Sequence, residues 1–210
     1  MSEQNEFNLS KTEIIVPIPV ANGDGVSVEY VPVPTRKWYV LRATYGREGK
    51  ARTQFIKKGL YAYIAQKEIP SKEDETKVEV LNLIPNMLFV YMSEDEAADI
   101  IKCDPSFSYV SYYYNHFKEE HGKNPPLIIP NDEMENFIRI TLSRNEHIKI
   151  VLRENCRFKS KDKVRITSGP FAGVEGFVAR VFRTTCVVSS LTGFGFVGTA
   201  YIPSRCIEKV

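Results

Sequence analysis

The spacing of apolar positions changes several times along the chain, and each change marks an element. Lys37-Trp38-Tyr39-Val40-Leu41 reads as a strand. From Gly46 the apolar residues Ala51, Phe55, Ile56 and Leu60 recur at helical spacing, with bases on the other side and Gly59 near the end. Residues 61–65 read as a strand. Residues 71–77 form a charged loop. Val78-Glu79-Val80-Leu81-Asn82-Leu83 alternates with period two and is expected to be half-buried. Met87-Leu88-Phe89-Val90-Tyr91 is a continuous apolar run, which suits a central strand. Ser93-Glu94-Asp95-Glu96 is a capping box that opens a second helix, with Ala97, Ala98, Ile100 and Ile101 on its buried side. Residues 108–114 are aromatic and β-prone. Asn131 is expected to cap a third helix that buries Met134, Phe137 and Ile138. The order predicts an α+β sandwich with a mainly antiparallel sheet over residues 37–142. Residues 143–156 read as a linker. Beyond it the pattern shifts to short strands with Gly and Pro turns and no helix, the mark of a small β-barrel over residues 157–210.

Residues 1–36 read as an arm, either weakly ordered or a loose hairpin. Two β-prone runs flank Ala21-Asn22-Gly23-Asp24-Gly25, while Pro17, Pro19, Pro32 and Pro34 cannot donate to a ladder. The net charge of +2 hides an uneven distribution. Residues 37–142 hold fourteen bases and sixteen acids; residues 157–210 hold nine bases and three acids. The C-terminal unit is therefore strongly basic, which draws phosphate backbones or acidic partners. The N-terminus has no apolar signal region, and no run approaches the ~20 apolar residues of a membrane span. A soluble, cytoplasmic protein without a membrane partner is expected. The four cysteines form no CxxC pair and the three histidines complete no zinc spacing, so neither a metal nor another cofactor is expected. No phosphate loop, carboxylate pair or triad signature points to catalysis, so no catalytic residue is assigned.

Lys163-Val164-Arg165-Ile166-Thr167-Ser168-Gly169-Pro170-Phe171-Ala172-Gly173-Val174-Glu175-Gly176 resembles the KOW motif found in NusG and in several ribosomal proteins. The residues suit a barrel. Val164 and Ile166 face inward between Lys163 and Arg165. Gly169, Pro170 and Gly173 serve a turn, Phe171 plugs an end, and Gly176 begins the next strand, whose Val178 and Val181 are expected to face in. These positions are structural. Val187, Val188 and Val197 favour strand, so a stable barrel is expected rather than the helical hairpin of a specialised relative.

The preceding domain sharpens the resemblance. Trp38-Tyr39-Val40-Leu41 followed by Tyr45-Gly46-Arg47-Glu48 is similar to the start of the NusG N-terminal domain, and Pro85-Asn86-Met87-Leu88-Phe89-Val90 stands where that family has a Pro-Gly-Tyr-Val-type strand. The likeness spans about residues 37–210. It implies a non-catalytic transcription elongation or antitermination factor. The N-terminal domain would dock on the clamp helices of the largest RNA polymerase subunit, favour the closed clamp and raise processivity. Tyr39, Tyr45, Ile84, Pro85 and Met87 are the implied docking residues, with Trp38 and Phe89 assigned to the core. Arg42, Arg47 and Lys50 would flank upstream DNA or the acidic clamp, or form a solvated face. In the second domain Phe194, Gly195 and Phe196 match the family's partner loop, which engages a ribosomal protein or Rho. Arg180 and Arg183, with Arg205, would instead favour RNA.

The sequence departs from the family pattern at Asn86, where glycine is usual, and at Met87 and Ile84, where aromatics are usual. With the arm, these changes point to a specialised paralogue acting on selected operons. The alternative is a KOW-type RNA- or ribosome-binding protein. That alternative predicts a basic middle domain, whereas residues 37–142 are slightly acidic.

Overall fold

Two central strands carry the first domain, one of them marked by the sequence as a continuous apolar run. In a computed structural model, which describes residues 28, 30–73, 76–116, 118–119 and 122–210, β1 (Arg36–Ala43) runs into a short 3-10 turn and then α1 (Glu48–Lys57). The strands β2 (Tyr61–Tyr63), β3 (Gln66–Pro70), β4 (Val78–Asn82) and β5 (Met87–Ser93) follow, then α2 (Glu94–Ala98), β6 (Val110–Tyr112), β7 (Ile128–Ile129) and α3 (Asn131–Leu142). The first sheet has the order β2-β5-β1-β6, with β7 also beside β1. Its pairs are antiparallel, and the central one runs from Arg36 opposite Ser93 to Arg42 opposite Met87. Central strands are covered on both faces, which is why β5 reads as an unbroken apolar run and the middle of β1 is apolar. Tyr39, Leu41, Leu88, Val90 and Met92 pack toward α1 and α2. Trp38, Val40, Phe89 and Tyr91 pack on the other face, where Met134, Phe137 and Ile138 of α3 join them.

Local chemistry sets the helix ends. The α1 helix stops at Gly59, whose φ of +76° is easy for glycine. The Gly59 N–H donates to Ile56 O (2.9 Å) and the Leu60 N–H to Phe55 O (3.0 Å), a Schellman termination. The Ser93 box forms as expected: the Glu96 N–H donates to Ser93 Oγ (3.2 Å), and the Ser93 N–H to Glu96 Oε2 (2.8 Å). Beyond Ala98 the helix widens to a π turn over 99–103.

Several sequence expectations need correction. Asn131 does not cap α3; Pro130 holds the cap position and Asn131 is the first helical residue. The α helix after Gly46 begins two residues later, at Glu48. The alternating run at 78–82 is not half-buried. Val78, Val80 and Leu81 are exposed, because β3 and β4 form a separate two-stranded ribbon. Alternation shows that a strand has two unlike faces, but not that another layer covers one of them. The ribbon is tied at its base by the Glu68 N–H, which donates to Arg144 O (2.8 Å), and by the Arg144–Glu68 ion pair (2.9 Å).

Of the arm read over residues 1–36, residues 1–27 and 29 lie outside the described residues. Its C-terminal end is packed: Tyr30 is buried against the rings of Trp38, Tyr61 and Tyr91. The Tyr30 hydroxyl donates to Glu135 Oε1 on α3 (3.0 Å). Tyr91 Oη accepts from the Val33 N–H (2.8 Å) and donates to Val33 O (3.0 Å).

The rest of the chain is a second antiparallel sheet. It comprises β8 (Lys149–Val151), β9 (Cys156–Ile166), β10 (Glu175–Val181), β11 (Thr184–Leu191), β12 (Gly195–Tyr201) and β13 (Ile207–Lys209), ordered β13-β9-β10-β11-β12-β8. Thus 149–151, within the stretch read as linker, pairs with β12. The KOW-like turn behaves as the residues require. Val164 and Ile166 are buried between exposed Lys163 and Arg165, Phe171 is buried, and Gly169 and Gly173 hold φ values of +86° and +82°. Val178 packs with Val164 and Val187, whereas Val181 packs with Cys156 and Cys186 in a smaller cluster. No helix among the described residues is long and apolar enough to cross a membrane.

Candidate functional site

The turn between β4 and β5 and the loop after β1 meet at one edge of the first sheet. Asn86 sits at φ +62°, in the left-handed region that Asn tolerates better than most residues. Its Oδ1 accepts from the Gly46 N–H (3.1 Å). Beneath the turn, Glu48 is buried, and its Oε1 accepts from Asn82 Nδ2 (2.6 Å) and the Asn86 N–H (3.4 Å). Glu48 is therefore the organiser of this edge. The sequence showed a glutamate opening the helix, but not the turn it holds.

Around this edge the implied docking residues separate into three places. Ile84 and Met87 are half-buried and pack against the face that carries Phe89, and Pro85 between them is exposed. Arg42 is exposed, directly opposite Met87 in the β1–β5 ladder. Tyr45 projects from its loop, 91% exposed and at φ +58°. Tyr39 lies on the opposite face of the sheet from Met87 and lines an open groove with Tyr112 and Tyr114 between α2 and β6. Burial and the neighbouring Tyr39, Tyr114 and Glu94 push the Tyr112 hydroxyl up to about 12. Trp38 and Phe89 are fully buried, as assigned.

The basic candidates form a separate group. The Arg47 guanidinium lies over Tyr109 (4.4 Å to the centroid) and Tyr45 (5.5 Å), and Lys50 Nζ stands 5.4 Å from the Tyr109 ring. Arg47 Nε also donates to Thr44 O (3.1 Å). Fixed cations over aromatic faces give a rigid, positively charged corner.

The largest departure from the sequence reading is at Phe194. The family resemblance implies that it belongs to a loop that engages a second protein. Instead its ring stacks on Tyr113 (5.7 Å, 15°) and meets Phe89 edge-on (6.2 Å, 61°). Both rings belong to the first domain. The same loop is fastened to α3, where the Thr192 N–H donates to Glu133 Oε2 (2.7 Å), and Gly193 lies so close to Leu127 that a Cβ would collide with it. The KOW-like turn is fastened beside it: the Glu175 N–H donates to Asn136 Oδ1 (3.0 Å), and Arg139 Nη1 donates to Ala172 O (3.5 Å). Phe194 and Phe196 do not act together. Phe196 packs on Phe158 (5.4 Å) against the smaller cluster. Gly195 sits between them at φ +102°. Arg180 and Arg183 are exposed.

The NusG-type features of the first domain thus recur in three dimensions, and comparison with known proteins decides the family. Residues 36–138 match the family model described as transcription termination factor nusG. Over those residues the chain belongs to the NusG family. A relative, the transcription termination/antitermination protein NusG of Thermus thermophilus, is 27% identical over 165 residues, covering 69% of this chain and 82% of the relative. The NusG match begins at β1 and ends within α3, so Tyr30 and Val33 clasp the NusG domain from outside the matched region. Among the described residues no group of His, Cys, Asp or Glu is arranged to hold a metal. The chain has a general role in transcription, consistent with its family.

Proposed function

We propose that the chain is an elongation or antitermination factor that binds RNA polymerase through the NusG domain. It favours the closed clamp, raises processivity and acts on selected operons. It works by binding rather than catalysis. A ligand that engages only the closed clamp shifts the equilibrium by its differential affinity for the two states. The observation that carries this reading is the apolar patch of Ile84, Met87, Phe89 and Tyr113, which the NusG domain does not fill itself and which an aromatic from the other domain occupies. Aromatics and methionine are favoured at the centres of protein interfaces, and Asn86 and Glu48 hold the adjoining turn rigid. Polymerase engagement through this patch requires the Phe194 loop to withdraw.

The test is capture of purified core RNA polymerase by the full chain and by a Tyr45→Ala plus Met87→Ala variant. Capture by the wild type that the folded double variant loses supports the reading. Capture of ribosomes or structured RNA without polymerase replaces it with the KOW-type alternative.

A further inference from the structure

The groove between α2 and β6 is lined by rings that stand in a row. The ring centroids of Tyr39 and Tyr112 are 6.1 Å apart, and those of Tyr112 and Tyr114 are 6.3 Å apart. Ile101 and Ile128, both half-buried, add to the apolar lining, and Tyr114 is 45% exposed. Lys37, Lys102 and Lys118 are exposed on the rim beside one acid, Glu94. A row of aromatic rings suits an extended, proline-containing segment, whose backbone makes no internal hydrogen bonds. Such a segment rises about 3.1 Å per residue, so two residues advance about 6.2 Å, close to the spacing of the rings. The Tyr112 hydroxyl, pushed up to about 12 by burial, keeps its proton at neutral pH and can donate to a carbonyl of that segment. The lysines favour an acidic occupant.

A segment of that chemistry lies in this chain, outside the described residues. Ile14-Ile15-Val16-Pro17-Ile18-Pro19-Val20 is apolar at every position, so whichever side it turns down is apolar. Pro17 and Pro19 fix their own φ and bias Val16 and Ile18 toward extended backbone. That bias lowers the entropy lost on docking. Residues 1–27 hold four acids and one base, with Glu13 next to the segment, which complements the lysine rim. The course of the chain agrees. Tyr30 packs on Trp38, while Val28 packs against both the cluster that holds Trp38 and the one that holds Tyr39. Val28 therefore stands at the rim where the two faces of the first sheet meet. Residues 21–27 separate it from the segment. Seven residues span up to about 23 Å, whereas three strand spacings cross about 14 Å. We propose that residues 14–20 dock within the same molecule in the Tyr39–Tyr112–Tyr114 groove, as an extended proline segment flanked by acids that face the lysine rim. The arm then covers Tyr39. The patch of Ile84, Met87, Phe89 and Tyr113 takes no part in this contact, so neither outcome of the polymerase capture decides it.

The experiment is photo-crosslinking of the purified full chain with benzoylphenylalanine replacing Lys102 on the rim, which leaves the three tyrosines intact. The linked peptide is mapped by mass spectrometry, and a mixture of isotopically light and heavy chains separates links within one molecule from links between two. The link should fall on residues 14–20 and stay within one molecule. Val16→Asp plus Ile18→Asp should reduce its yield at least about tenfold, because two docked aliphatic side chains are lost. Neither residue belongs to a strand of the two sheets, so the circular dichroism of that variant should match the wild type. Tyr114→Ala should also reduce the yield, and Tyr114→Phe should preserve it. Links between two chains, a yield unchanged by the aspartate variant, or no link to residues 14–20 overturns the proposal; the last result leaves the groove to a separate protein.

Discussion

Asn86 shows how a departure from a family pattern is accommodated at a single position. A backbone at φ +62° normally calls for glycine, and asparagine is among the residues that bear it. Here the side chain also accepts from the Gly46 N–H, which glycine could not do. Asn86→Gly keeps the conformation and loses that bond, at an expected cost of about 1 kcal/mol. Asn86→Val adds backbone strain and should cost roughly 1–3 kcal/mol more. Urea unfolding of the two variants separates the contributions; equal stabilities would mean that the bond, not the backbone, matters. Tyr30 is the second informative residue. Burial raises the pKa of its hydroxyl, so it remains a donor to Glu135. Tyr30→Ala removes a buried ring and should cost about 3 kcal/mol, whereas Tyr30→Phe should cost about 1 kcal/mol, both read from the urea midpoint.

At the scale of elements, one helix end was plain in the sequence, another was misread, and the covering of faces was not visible. The Ser93 capping box is a local pattern of four residues and forms as read. Ser93→Ala should cost about 1 kcal/mol, measured by thermal unfolding. The β4 ribbon looked half-buried because Val78 and Val80 alternate with polar neighbours, yet no layer covers them. Asn131 looked like a cap because it precedes two acids, but the preceding proline takes that place. Along β9 and β10, Lys163 and Arg165 hold the Glu175 carboxyl below its usual 4.5. A carboxylate lowered by folding stabilises the fold above its unfolded value, and that contribution is lost as pH falls through the folded value. Glu175→Gln should therefore lower stability at neutral pH and flatten the decline below about pH 4.5. Denaturant titrations at neutral and acid pH check the sign.

Across the whole molecule, two surfaces assigned separately from the sequence cover each other. Phe194 closes over Phe89 and Tyr113, and the loop bonds to the first turn of α3. An aromatic contact of this kind is worth about 0.5–1.5 kcal/mol beyond the area it buries. Losing one or two kcal/mol changes an equilibrium by a factor of about 5–30. Phe194→Ala should thus loosen the second sheet from α3 and raise polymerase capture, provided the docking patch is the one proposed. Unchanged capture, with amide exchange showing the second sheet released, would place docking elsewhere.

The sequence by itself determined the mixed α+β class with mainly antiparallel pairing, the buried identity of Trp38 and Phe89, the capping box and the turn at Gly169–Gly173. Each of these follows from spacing within a few residues, or from what a backbone conformation permits. Only the tertiary structure decided that Phe194 fills a gap in the NusG domain, that Tyr39 and Met87 lie on opposite faces, and that Tyr39, Tyr112 and Tyr114 stand in a row. Those facts depend on sheet register and on which layers meet. Alternation reveals that a face is apolar or charged, but residues distant in the chain decide what lies against it.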